Sequence, residues 1–127
     1  MSKKLILNLL KYVMALFYFF GGVNHFVSPE FYLPLIPDYL PAHEFLNWVA
    51  GIAEILGAIG LLIPKTQKIA AWGIVLMLIA FIPSHVYFIQ IGSCMPDVLC
   101  VDEWIGWVRL LLVHPVLVYW AWIYTKS

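Results

Sequence analysis

Residues 45–91 read FLNWVAGIAEILGAIGLLIPKTQKIAAWGIVLMLIAFIPSHVYFIQI. Two apolar runs, Phe45–Ile63 and Ile69–Ile91, are separated only by Pro64-Lys65-Thr66-Gln67-Lys68. Each run meets the length of about 20 residues that a helix needs to cross the hydrocarbon core. So short a link makes the second helix return alongside the first, as an antiparallel hairpin. Working outward, Leu5–Phe26 and Trp104–Tyr124 are apolar runs of the same kind. The reading predicts an all-α membrane protein, a four-transmembrane-helix bundle forming one domain over 1–127. Its spans are about 5–26, 45–63, 69–91 and 104–124, and its outer loops are 27–44 and 92–103.

Composition agrees with a bilayer as solvent. The chain of 127 residues is 64% hydrophobic and 11% charged, with mean hydropathy +0.93. A soluble domain of this size carries far more polar surface. The formal net charge is zero, which leaves no basic stripe for nucleic acid. The first run has no small-x-small cleavage site leading into a soluble stretch, so it reads as a span and not a leader.

The charges then sort by side. Lys3, Lys4, Lys11, Lys65, Lys68 and Lys126 flank the inner ends of the spans; Glu30, Asp38, Glu44, Asp97, Asp102 and Glu103 occupy the first and third loops. Lysine near span ends favours the cytoplasm. Both termini are therefore expected inside, and loops 27–44 and 92–103 outside. Trp48, Trp104, Trp107, Tyr12, Tyr119, Trp120, Trp122 and Tyr124 gather toward span ends, where amphipathic rings anchor at the interface.

Loop 27–44 contains Pro29, Pro34, Pro37 and Pro41, which should break regular helix. Its Phe31, Tyr32, Leu33, Leu35, Ile36, Tyr39 and Leu40 are too apolar to extend into water. The loop reads either as an interfacial plug or as a lid over a ligand site. Loop 92–103 holds the two cysteines, Cys94 and Cys100, on the side expected to be oxidising. A disulfide there closes a small ring, worth roughly 2–2.5 kcal/mol on the loop-entropy model. It reads as a structural staple or a redox-active pair, although the spacing differs from C-x-x-C.

Two charges remain, Glu54 and Arg109, both inside apolar spans. Each is charged about 2.5–3.5 kcal/mol on insertion scales, and such residues pair and face the interior. At 1.5 Å per residue, Glu54 lies roughly 9–13 Å below the outer interface and Arg109 roughly 8 Å. A Glu54–Arg109 pair is the expectation. Ala50, Ala53, Gly57 and Gly60 form a small-residue seam beside Glu54, a face that admits another helix closely. Asn24 and His25 end the first span, and His85 lies roughly 9 Å deep. Pro83 and Pro115 each free a carbonyl, of Ile79 and of Leu111, and kink their spans. The outer half thus gathers Asn24, His25, Glu54, His85 and Arg109 into an outward-facing polar pocket. His114, deeper, reads as a satisfied interior residue. No H-x-x-x-H or similar spacing joins these side chains, so no metal site is expected.

Gly22-Val23-Asn24-His25-Phe26, Pro29, Ile36-Pro37-Asp38-Tyr39-Leu40-Pro41, Gly51-x-x-Glu54-x-x-Gly57 running into Pro64-Lys65-Thr66, and Ala70-Ala71-Trp72-Gly73 resemble the DoxX-like family of small four-helix membrane proteins. The resemblance covers most of residues 15–90, and Arg109 in the last span resembles that family too. The chain departs from it at Ser84-His85, which makes His85 a candidate for subfamily specificity. The resemblance implies a bacterial inner-membrane bundle with a redox-associated role. Some relatives are small subunits of thiosulfate:quinone oxidoreductases, and a more distant animal relative, NACHO, assists receptor assembly.

The leading functional expectation is a site for a quinone- or lipid-like small molecule, within a homo-oligomer or as a subunit of a membrane oxidoreductase. Arg109 would supply a donor fork, Glu54 would orient it, and His25 and His85 would relay protons. Phe19, Phe20, Trp48 and Tyr87 would wall the apolar part. No haem, flavin or iron–sulfur signature occurs in the chain, so a quinone-like ligand is the only cofactor type suggested. The rival readings are a non-enzymatic assembly factor and a small proton-coupled transporter; the chain specifies no reaction. A reporter fused at Lys65 is expected in the cytoplasm and one fused within 27–44 outside. The opposite pattern would invert the topology.

Overall fold

Ser2 starts the first helix: its hydroxyl accepts from the Leu5 N–H at 3.2 Å, filling one of the donors a helix start leaves open. The computed structural model describes residues 2–126. Helix α1 spans Lys3–Val27. A single helical turn, α2 (Pro29–Tyr32), and a 3-10 turn at Leu33–Leu35 follow. Loop 27–44 is therefore more ordered than its prolines suggest. Pro29 stands in the first turn of α2, where its missing N–H is no loss.

Helix α3 is His43–Leu62. Thr66 closes the link by donating to the Gly60 carbonyl at 2.8 Å. Helix α4 (Gln67–Ala80) then breaks at Phe81, and α5 (Ile82–Gln90) continues with Pro83 in its first turn. A two-stranded hairpin, β1 (Cys94–Met95) and β2 (Leu99–Cys100), pairs Cys94 with Cys100, and the two cysteines are joined as a disulfide. The last span comprises α6 (Glu103–Val108), a π-helical stretch at Arg109–Val113 and α7 (His114–Ile123). Four helical segments, Lys3–Val27, His43–Leu62, Gln67–Gln90 and Glu103–Ile123, are long and apolar enough to cross a membrane.

The neighbours are sequential: α1 lies against α3, α3 against α4, and α4 against α7. At the end bearing the termini, the Tyr124 hydroxyl donates to the Leu7 carbonyl at 2.7 Å and Lys11 donates to Gln67 at 3.1 Å. Met14, Tyr18, Leu61, Ile74, Leu78 and Ala121 fill the centre. Large apolar side chains also cover the outside, as with Phe20, Leu56, Ile69 and Leu111, which is the distribution a lipid-immersed bundle requires.

The tightest packing is between α1 and α3. A Cβ on Gly22 would lie 2.7 Å from the Gly51 carbonyl, and one on Gly51 would lie 2.9 Å from His25 Cβ. The seam residues Gly57 and Gly60 meet Ile74 and Ala70 of α4 instead. The small-residue face is thus used twice inside the chain. Gly22→Ala is expected to destabilise the bundle by about 1–3 kcal/mol, because its neighbour is backbone and cannot yield. Gly73→Ala, which meets nothing within 4 Å, should raise stability by roughly 0.5–1 kcal/mol. Thermal unfolding in detergent reads both, and equal effects would contradict the packing account.

Candidate functional site

The α1–α3 contact fixes the first polar centre. The buried stripe of α1 is Met14, Ala15, Tyr18, Gly22 and His25, and that of α3 is Asn47, Gly51, Glu54, Ala58 and Leu61. Helical spacing places Tyr18, Gly22 and His25 one above another, and likewise Asn47, Gly51 and Glu54. Where the stripes meet, His25 Nε2 lies 2.6 Å from Glu54 Oε2. Asn47 Nδ2 donates to the His25 carbonyl at 2.8 Å, and Asn47 Oδ1 faces His25 Nδ1 at 2.7 Å.

This arrangement sets the tautomer. A backbone carbonyl only accepts, so the Asn47 amide nitrogen must point to it and its oxygen must face Nδ1. His25 Nδ1 therefore carries a hydrogen and donates to Asn47. The remaining imidazole nitrogen, Nε2, faces the Glu54 carboxyl group. Tyr32 covers the pair from loop 27–44, its ring stacked on His25 at 3.8 Å between centroids. The Tyr32 hydroxyl in turn accepts from Asn24 Nδ2 at 2.9 Å. Tyr18, whose hydroxyl is buried without a hydrogen-bond partner, lies one turn below Gly22 on the same stripe.

Arg109 is elsewhere. Its guanidinium sits 4.5 Å from the centroid of the Phe88 ring of α5, a cation–π contact. Among the described residues it makes no ion pair, and the expected Glu54–Arg109 pair is replaced by Glu54–His25. The reason is azimuth: equal depth does not bring together α3 and the last span, which are not the principal neighbours.

His85 and His114 form the second centre with Arg109. Their rings meet edge to face at 4.6 Å, and Arg109 bears electrostatically on both. Pro115 explains the local backbone. Lacking an N–H, it cannot bond the Leu111 carbonyl, and the ladder shifts so that the His114 N–H donates to Arg109 O, five residues back. Arg109 Nε, His85 Nδ1 and both ring nitrogens of His114 have no hydrogen-bond partner of good geometry. The carbonyl of Leu78, beside the α4–α5 break, faces the His114 ring. His114, expected in the interior, is buried, and its ring packs on that of His85.

The five residues expected in one pocket thus fall into two groups: Asn24, His25 and Glu54 on α1 and α3, and His85 and Arg109 on α5 and the last span. Trp48 is half-exposed on the apolar exterior and walls neither. Tyr87 faces Asp38 of the first loop, tying that loop to α5. Asn47 and Tyr32 are functional-site residues the sequence reading missed. The register 47-51-54-58 carries the signal for Asn47; nothing local marks Tyr32. Cys94 and Cys100 sit on the hairpin. Among the described residues no three His, Cys, Asp or Glu side chains come together as a metal cluster.

A double-mutant cycle between His25→Ala and Glu54→Gln should return a coupling of about 0.5–3 kcal/mol, against less than about 0.5 kcal/mol for Glu54 with Arg109. Large coupling to Arg109 would reinstate the pair expected from depth.

A family model described as a domain of unknown function (DUF8561) matches residues 14–125. No curated protein and no solved structure matches the chain. The matched segment takes in the second half of α1, the other three apolar helices and both polar centres, and the chain belongs to the DUF8561 family.

Proposed function

We propose that this chain is a bacterial inner-membrane protein, with both termini cytoplasmic, that binds a quinone- or lipid-like small molecule at Arg109, His85 and His114. The observation that carries this reading is the set of donor groups left open there. Arg109 Nε and His85 Nδ1, on two different spans, have no hydrogen-bond partners, and Arg109 has no counter-charge among the described residues. Each unmet buried polar group costs about 1–3 kcal/mol, more when charged. A ligand oxygen, whether a ring carbonyl or a headgroup acid, would offset that cost. The π-helical stretch is a further support, since such irregularities concentrate at functional sites.

In this reading Arg109 orients the ligand's oxygen and the imidazoles of His85 and His114 hold or give a proton beside it. The His25–Glu54 couple is a second proton-sharing centre, held in register by Asn47 and shielded by Tyr32. A redox-associated role, as subunit of an oxidoreductase, follows the DoxX-like resemblance; the electron carrier would belong to the partner. The assembly-factor reading is less well supported, because Gly57 and Gly60, the face it would use, are packed on α4.

Native mass spectrometry of protein released gently from its own membrane is expected to show a stoichiometric small-molecule adduct. Arg109→Ala should lose the adduct while keeping the folded bundle, and Arg109→Lys should retain part of it, since lysine keeps charge without the fork. A clean unliganded mass for the unsubstituted protein, or a protein subunit as the adduct, would overturn the proposal.

A further inference from the structure

An opening lies along the first helix. A shallow, open groove of about 530 Å³ runs along α1 beside Tyr32 of the first loop. Phe17, Phe20, Gly21, Asn24, Val27 and Tyr32 line it. Phe17, Phe20 and Val27 are largely exposed, so in a bilayer the cleft opens sideways into lipid.

Gly21 is what separates this cleft from Glu54. A Cβ at Gly21 would come 3.0 Å from Glu54 Oε1. With glycine there, residue 21 puts no side chain between the cleft and that oxygen. His25 Nε2 lies against Oε2, and none of the hydrogen bonds among the described residues of this centre goes to Oε1. The carboxylate thus has one oxygen committed inward and one at the edge of a lipid-facing cleft.

We infer that this cleft is a lateral binding site for a membrane-dissolved amphiphile bearing a hydroxyl head. The head would donate to Glu54 Oε1 through the gap at Gly21. It would accept from Tyr32, whose oxygen already accepts from Asn24 Nδ2 and whose own hydrogen remains to be given. A group that both donates and accepts fits these two partners, which an ammonium cannot do. The apolar tail lies along Phe17, Phe20 and Val27. The site is built from α1, α3 and the first loop, with no residue of the last span, so it stands or falls independently of Arg109.

The test is access to Glu54 from the lipid phase. Protein in phosphatidylcholine vesicles at mildly acidic pH is treated with lipid-soluble dicyclohexylcarbodiimide, which traps a reached carboxyl as an acylurea, and the adduct is located by peptide mass mapping. Glu54 should be labelled in the unsubstituted protein and in Gly73→Ala, and labelling should be lost in Gly21→Ala. 1-Dodecanol should slow labelling several-fold, whereas dodecane should not. Tyr32→Phe, which keeps the ring over His25, should stay labelled but lose the dodecanol protection. No labelling of Glu54 in the unsubstituted protein, undiminished labelling in Gly21→Ala, or equal protection by dodecane would overturn the site. Unchanged dodecanol protection in Tyr32→Phe would overturn the hydroxyl assignment.

Discussion

The contact between Gly22 and Gly51 governs the polar chemistry of the bundle. With no side chain on either residue, α1 and α3 approach until backbone meets backbone. Only at that separation can the short His25 and Glu54 side chains meet directly at 2.6 Å. Glycine in a helix interior is unfavourable by roughly 0.5–1 kcal/mol against alanine, and in hydrocarbon there is no hydrophobic drive to offset it between helices. Close packing and the buried hydrogen bonds of Asn47 supply the compensation. The couple and the glycine pair are therefore one device: the glycines set the distance, and the polar bonds set the register.

Much of this was legible in the chain before any coordinates. Apolar run length gives the four helices, and Pro64–Lys68 gives the hairpin, because the bilayer leaves few alternatives to spanning helices. His25 and Glu54 stand out because ionisable side chains are rare in such runs. Their partnership was harder to see. Depth is a one-dimensional coordinate, and it makes Glu54 and Arg109 equivalent. Azimuth separates them, and azimuth is set by which face packs, here the stripe 47-51-54-58 on α3 and 14-18-22-25 on α1. The alternative seam through Ala50, Ala53, Gly57 and Gly60 is offset from that stripe and belongs mainly to α4. Tyr32 was not legible at all, since its position depends on how a proline-rich loop folds back over His25.

Proline shapes the second centre as glycine shapes the first. Pro83 and Pro115 each remove a donor from the helical ladder. On the third span the result is a break at Phe81 with His85 one turn beyond it. On the fourth it is a stretch in which His114 bonds back to Arg109. Both histidines thus stand beside irregular backbone, and their rings meet across the interface. Regular helices would satisfy more backbone groups. The two prolines instead leave backbone carbonyls and imidazole nitrogens in the same apolar region, a local cost that folding alone does not explain.

The two centres have opposite character, and that contrast constrains what the bundle can do. Around His25, the ring and amide groups are matched: Nδ1 by Asn47, Nε2 by Glu54, the Asn47 amide by a carbonyl, and the Asn24 amide by Tyr32. What remains open there is one acceptor, Glu54 Oε1, and the hydroxyl hydrogens of Tyr18 and Tyr32. Around Arg109, donors are open with no carboxylate to meet them. A bundle that needed polar groups only to hold helices in register would place the surplus acid opposite the surplus base, since separated buried charges are the costlier arrangement. Here the glycine contact gives the acid a histidine, and the cation is left with an aromatic ring. In the reading proposed above, molecules dissolved in the surrounding bilayer, bearing an acceptor for Arg109 or a donor for Glu54, complete each side.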